Sequence, residues 1–200
     1  YGSDPAFVVA GGGNTSWKSE SILYIKGSGT ALADIDSNGF VKMDRSLLAA
    51  IWNKKYPESS DARESAVLAD MMAAKMPGEE TKRPSVETLL HDILPFDYVV
   101  HTHPALVNGI TCSTDGQSAM QELFDNQALW IPLTNPGYVL ALEVKQRMEA
   151  FFEKFNRAPS IIFLQNHGIF VAANTADEIK TLYDDVMSKI GAKIRREPDF

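Results

Sequence analysis

The sequence has 200 residues, 44% of them hydrophobic and 22% charged, and its 19 Lys+Arg against 26 Asp+Glu give a formal net charge of −7. A chain of this length and balance can bury a substantial core and carries no compositional mark of disorder or fibrous repeats. Its acidity disfavours nucleic acid as a partner, because Lys193, Arg195 and Arg196 form the one short basic cluster set against phosphodiester repulsion.

Residues 7–10 read as a strand that runs into a turn-rich cluster, Gly11, Gly12, Gly13, Asn14, Thr15 and Ser16. A second strand is predicted over 21–25, a flexible turn at Lys26, Gly27, Ser28 and Gly29, and a third strand over 39–43. Asp44 caps a helix through residue 55, with Leu47, Leu48, Ile51 and Trp52 as its apolar stripe. A helix fits 61–76 and a polar loop 77–83. Pro84 opens a helix-like segment over 85–94, which Pro95 closes. Residues 97–103 alternate as a strand, and Pro104 ends it before a helix over 105–112 and another near 117–124. A short strand over 129–133 leads through Asn135, Pro136 and Gly137 into a helix from about residue 139 to residue 155. Strands over 160–164 and 169–173 are separated only by Gln165, Asn166, His167 and Gly168. Asn174 or Thr175 then caps a last helix with Ile179, Leu182, Tyr183, Val186 and Ile190 on one side.

Hairpin-length connections point to a sheet with antiparallel pairs, covered by helices, in one α/β unit spanning residues 1–200. No stretch is apolar for long enough to span a membrane, and no leader-like segment opens the chain. A lone cysteine, Cys112, gives no sign of an oxidising compartment, so the cytoplasm is the expected location, and Cys112 is expected to be a packed small residue. The start at Tyr1 and the stop at Phe200 leave open that this is one module of a longer polypeptide.

His101 and His103 sit two apart in a predicted strand, so both imidazoles leave the same face within reach of one ion. His167 follows 64 residues after His103, in a tight turn that can deliver a third. Three neutral nitrogens suit zinc or a similar divalent ion. The spacing serves equally two polar residues on a wet sheet face and a hydrogen-bonded turn residue. Glu87, fourteen residues before His101, is the carboxylate to pair with them, to bind metal or to move protons. The macrodipole also favours a glutamate there. His91 shares its helix face and is read as structural support. The two glycine-rich turns offer backbone N–H groups and hydroxyls to a small anion, or are simply tight hairpins, and Lys26 is expected to be solvated.

Taken in order, GGGNTS, IKGSGT, PSVETLLH, VVHTHPALVNGITCS and QNHGIFVAA resemble the class II aldolase/adducin family of zinc-dependent sugar-phosphate aldolases. The resemblance implies a three-layer α/β/α domain around a largely antiparallel sheet, assembled as a homotetramer of fourfold symmetry with its active site at a subunit interface. It implies His101, His103 and His167 as metal ligands and Glu87 as the carboxylate that binds Zn2+, or Mn2+ or Co2+, or acts as acid/base. Gly13, Asn14, Ser28, Gly29 and Ser85 would cradle the phosphate of a small sugar phosphate. The implied reaction is cleavage of a ketose 1-phosphate into dihydroxyacetone phosphate and an aldehyde through a zinc-stabilised enediolate. An epimerase, dehydratase or decarboxylase on the same metal site, or an adducin-like interaction module without catalysis, are the alternatives. Two departures stand out. Val86 replaces the second serine of the family's Ser-Ser-Glu, and Lys26-Gly27-Ser28 replaces Thr-Pro-Thr, variants similar to a bacterial subgroup related to bifunctional rhamnulose-phosphate enzymes. The tyrosine that such aldolases take from a neighbouring subunit is not assigned.

Overall fold

In chain order the elements are β1 (Asn14–Lys18), β2 (Ile22–Lys26), β3 (Phe40–Asp44), α1 (Arg45–Ile51), α2 (Ser60–Ala73), α3 (Thr88–Ile93), β4 (Tyr98–Thr102), α4 (Ala105–Thr111), α5 (Gly116–Phe124), β5 (Ala128–Ile131), α6 (Tyr138–Phe155), β6 (Ile161–Leu164), β7 (Gly168–Ala173) and α7 (Ala176–Gly191). This computed structural model describes residues 1–8 and 12–194. Gly11 of the first glycine cluster and Arg195 and Arg196 of the basic cluster therefore lie outside the described residues, as does half of the strand predicted over 7–10.

One sheet runs in the order β3-β2-β1-β4-β7-β6-β5. Among the described residues every pairing is antiparallel except the parallel edge pair β5–β6. The strands β6 (IIFL) and β7 (GIFVAA) are buried at every position. Their continuous apolar runs are what a strand covered on both faces requires. On one face Leu23, Ile25, Val41, Met43 and Phe170 pack against Leu48 of α1, Met71 of α2, Leu90 of α3 and Val144 of α6. On the other, Val100, Phe163 and Val171 pack against Val107 of α4, Phe124 of α5 and Tyr183 of α7. Two helical layers thus sandwich the sheet, as the α/β/α expectation has it.

The helix ends follow from side chains the sequence displays. Asp44 accepts from the backbone N–H of Ser46 and Leu47 to start α1. Thr175 and Glu178 form a reciprocal capping box at α7, and Asn156 ends α6 in the left-handed conformation at φ 53°.

Four local expectations change. Phe7 lies in a turn and packs edge-on to Tyr183, so residues 7–8 are no strand. The polar run Asn14, Thr15 and Ser16, read as turn, instead begins β1 and pairs with β4. Cys112 is exposed rather than packed, and Lys26 is buried rather than solvated. Among the described residues no helix is long and apolar enough to cross a membrane.

Candidate metal centre

The antiparallel pairing of β4 with β7 sets Thr102 opposite Ile169. His103, one residue past the end of β4, and His167, one residue before β7, therefore meet at the same end of the sheet. The turn between β6 and β7 is closed by Asn166 in the left-handed region at φ 57° and by the His167 N–H donating to the Leu164 carbonyl at 3.1 Å. Gly168 lets the strands close in: a Cβ there would stand 2.5 Å from His103 Cδ2 and 2.5 Å from the Thr102 carbonyl oxygen.

His101 is fully buried and stacks on Phe170 at 4.2 Å between ring centroids. Its Nδ1 lies 2.9 Å from the Ile169 carbonyl, which can only accept, so the ring hydrogen is on Nδ1 and Nε2 carries a bare lone pair. That lone pair faces His103 Nε2 at 2.8 Å. One nitrogen from each of His101, His103 and His167 falls within 4.8 Å of the others, a grouping able to hold a metal ion. Burial depresses all three rings. His101 is pushed down to about 3, with His103 adding to the effect, and His167 to about 4, with His101 adding to it. Burial moves His103 the same way, against an opposing pull from Glu87. All three are neutral at pH 7, the form that ligates.

Glu87 precedes the first residue of α3 and is 6% exposed. Its two oxygens differ. Oε2 accepts from Asn14 Nδ2 at 2.6 Å. Oε1 stands 3.5 Å from His101 Nε2 and 3.6 Å from His167 Nε2 and is buried with no hydrogen-bond partner among the described residues. With the rings neutral these contacts are not ion pairs. Burial holds the carboxyl above its ordinary range, against the opposing pull of Asn14 and the imidazoles. Three neutral imidazole nitrogens, two of them beside a buried carboxylate oxygen, are a donor set that fits a divalent ion.

A family model for the Class II Aldolase and Adducin N-terminal domain matches residues 3–186. The chain belongs to this family. The N-terminal class II aldolase domain of a conserved protein from Thermoplasma acidophilum is 29% identical, with a TM-score of 0.77 over 97% of this chain and 88% of that one. An L-fuculose-1-phosphate aldolase from Thermus thermophilus shares the fold at 14% identity and a TM-score of 0.57, covering 92% of this chain and 83% of its own. A Bacillus subtilis (strain 168) protein named as the uncharacterized oxidoreductase YuxG is 28% identical over 94% of this chain. The class II aldolase-like chain spans only 27% of that relative's length.

Of the positions that the resemblance gives to phosphate, Gly13, Asn14 and Ser85 lie beside His101 or Glu87 of this class II aldolase-like domain, and Ser28 and Gly29 lie in a turn next to the approach to α3. Gly13, at φ 86°, runs so close to β4 that a Cβ would lie 2.5 Å from the His101 carbonyl oxygen. Ser28 and Gly29 form an exposed turn tied to the α3 approach, where the Ser28 N–H donates to the Arg83 carbonyl at 2.8 Å and Gly27 bridges to Pro84. Ser85 Oγ accepts from the Glu87 N–H at 3.2 Å and from Asn14 Nδ2 at 3.3 Å, which leaves its own hydroxyl hydrogen to donate. Asn14 differs from the others: both amide hydrogens are already committed, to Glu87 and to Ser85. Val86 is 49% exposed and offers no hydroxyl. The residues that sequence reasoning underrated are Ser16 and His91, which join Asn14 in one buried network. Their signal was the polar inward face of β1, hidden because that segment read as a turn.

Proposed function

We propose that this class II aldolase-like domain is a metal-dependent lyase that cleaves a small ketose 1-phosphate into dihydroxyacetone phosphate and an aldehyde. The observation that carries the reading is the convergence of three neutral imidazoles, with an otherwise unpartnered Glu87 oxygen beside two of them. Its family membership supports it, and so does the fold shared with an L-fuculose-1-phosphate aldolase. His101, His103 and His167 would hold the ion, zinc in the first instance, with manganese or cobalt as substitutes. Bound there, a divalent ion supplies Lewis-acid polarisation of the substrate carbonyl.

The chain's own groups do the rest. Ser85 and the Ser28–Gly29 turn orient the phosphate through a hydroxyl and exposed backbone, at a place where Val86 contributes nothing. Glu87 Oε1, dry and raised in proton affinity, shuttles a proton between the hydroxyl beside the breaking bond and the carbon left behind. The half-buried edges of His103 and His167 leave one side of the site open to substrate, and to a neighbouring subunit if four copies assemble about a fourfold axis.

The test is metal content of purified protein beside trapping of dihydroxyacetone phosphate from a panel of ketose 1-phosphates. About one zinc, manganese or cobalt ion per chain is expected, lost in His103→Ala. Glu87→Gln is expected to keep most of the metal and lose turnover by roughly 10²-fold or more, the scale of general acid–base assistance. Full activity in either variant overturns the mechanism. Isomerised, dehydrated or decarboxylated product without cleavage would move the reaction to another use of the same site, and absence of metal after reconstitution would favour an adducin-like interaction role.

A further inference from the structure

Asn14 joins two buried side chains by opposite ends of its amide. Nδ2 donates to Glu87 Oε2 at 2.6 Å, and Oδ1 faces His91 Nε2. The other ring nitrogen, His91 Nδ1, lies 2.7 Å from Ser16 Oγ. An amide oxygen only accepts, so the ring hydrogen of His91 must be on Nε2, and Nδ1 must take the hydroxyl hydrogen of Ser16. The donors therefore run one way, from Ser16 to His91 to Asn14 to Glu87. Turning the amide over would set Oδ1 against the Glu87 carboxylate, acceptor against acceptor, whichever tautomer the ring took.

The fold makes this arrangement compulsory. Asn14 is opposite His101 and Ser16 opposite Val99, so both polar residues of β1 point to the face that α3 covers. His91 is 0% exposed and lies four residues after Glu87, on the same side of that helix. We propose that His91 is a positioning residue: acting through Asn14, it fixes Glu87 with Oε2 tied down and Oε1 turned toward His101 and His167. The inference rests on the metal-centre reading above and adds a residue that touches neither ion nor substrate. It also gives Asn14 the task of orienting the carboxylate, which occupies the amide hydrogens that a phosphate would need. A carboxylate held in one rotamer before ligand arrives loses no conformational freedom when the site loads.

Two measurements test it. Nitrogen NMR of histidine-labelled, metal-free protein, with His91 identified from its absence in His91→Gln, is expected to show the Nε2–H tautomer. An Nδ1–H tautomer would reverse the donor chain and overturn the proposal. The second is titration with Co2+ alone, reading affinity and the visible spectrum of the bound ion in wild type, Glu87→Gln, His91→Phe, His91→Gln and Ser16→Ala. His91→Phe is expected to shift the spectrum as Glu87→Gln does and to weaken Co2+ by no more than that variant, about ten-fold at most, the low end of the scale for partners of a metal-site group. His91→Gln keeps an amide donor toward Asn14 and is expected to recover most of both. Ser16→Ala, a smaller change, is expected to lie between them and decides the matter even if His91→Phe does not fold. Wild-type spectrum and affinity in Ser16→Ala, alongside a shift in Glu87→Gln, would overturn the relay and leave the metal centre standing. If the wild-type chain binds no Co2+, the metal-centre reading falls and takes this one with it.

Discussion

Gly168 contributes to the histidine cluster by what it lacks. A methyl group there must displace either His103 or the Thr102 carbonyl, each 2.5 Å from the position it would occupy. Gly168→Ala is therefore expected to lower metal affinity about ten-fold or more and to cost about 1–3 kcal/mol of stability, the range for overpacking a closed contact. Competition with a chelator and urea unfolding would measure the two effects, and an unchanged metal affinity would show that the edge of β7 yields instead of the imidazole. At this scale the sequence was legible where one element holds both partners. The two-residue spacing of His101 and His103 on a strand predicts a shared face directly. Glu87 at the head of a helix was visible for the same local reason. The arrival of His167 depends on β4 pairing with β7, and the link from His91 to Glu87 depends on Asn14 from a third segment. Neither relation has any expression in residue spacing.

Among the elements, α7 is held at its start by an interaction that can be removed cleanly. Thr175 Oγ1 accepts from the Glu178 N–H at 3.2 Å, while Glu178 Oε2 accepts from the N–H groups of Thr175 and Asn174, each at 3.1 Å. Thr175→Ala is expected to cost about 1 kcal/mol. The shift should appear in the urea midpoint with metal binding unchanged, because α7 lies on the sheet face opposite His101. Apolar strands and capped helices such as β6, β7, α6 and α7 were readable because burial and end chemistry are written in their own residues. The strand β1 was not. Its inward positions, Asn14, Ser16 and Lys18, are polar because they serve α3, so the strand lacks the alternation that burial against a core would impose. Function at one strand face thus erased the very pattern by which strands are recognised.

For the whole molecule, Lys18 makes stability depend on alkaline pH. It is 4% exposed, its Nζ donates to the His91 carbonyl at 2.6 Å, and burial brings its pKa down to about 8 despite Asp92 beside it. The unfolded chain keeps that proton up to the ordinary 10.5. Between these values the unfolded state binds more protons than the folded one, so this group's contribution to stability rises with pH. Urea unfolding of wild type and Lys18→Met across that window is expected to show the difference, wild type minus variant, moving in favour of wild type as pH increases. A flat difference would mean that Lys18 keeps its proton in the folded state.

The strand order carries one more consequence. β1, β2 and β3 follow one another along the chain and can pair as a local meander, and β6 with β7 is a tight hairpin. The joins β1–β4 and β4–β7 instead close long loops, whose entropic cost delays them during folding. Every residue of the candidate centre lies along those two late seams: Asn14 and Glu87 by the first, His103 and His167 by the second, and His101 on the strand between them. The cluster therefore exists only once the halves of the sheet have zipped together, and a metal ion loaded there would act as a seal on completed folding rather than as its nucleus.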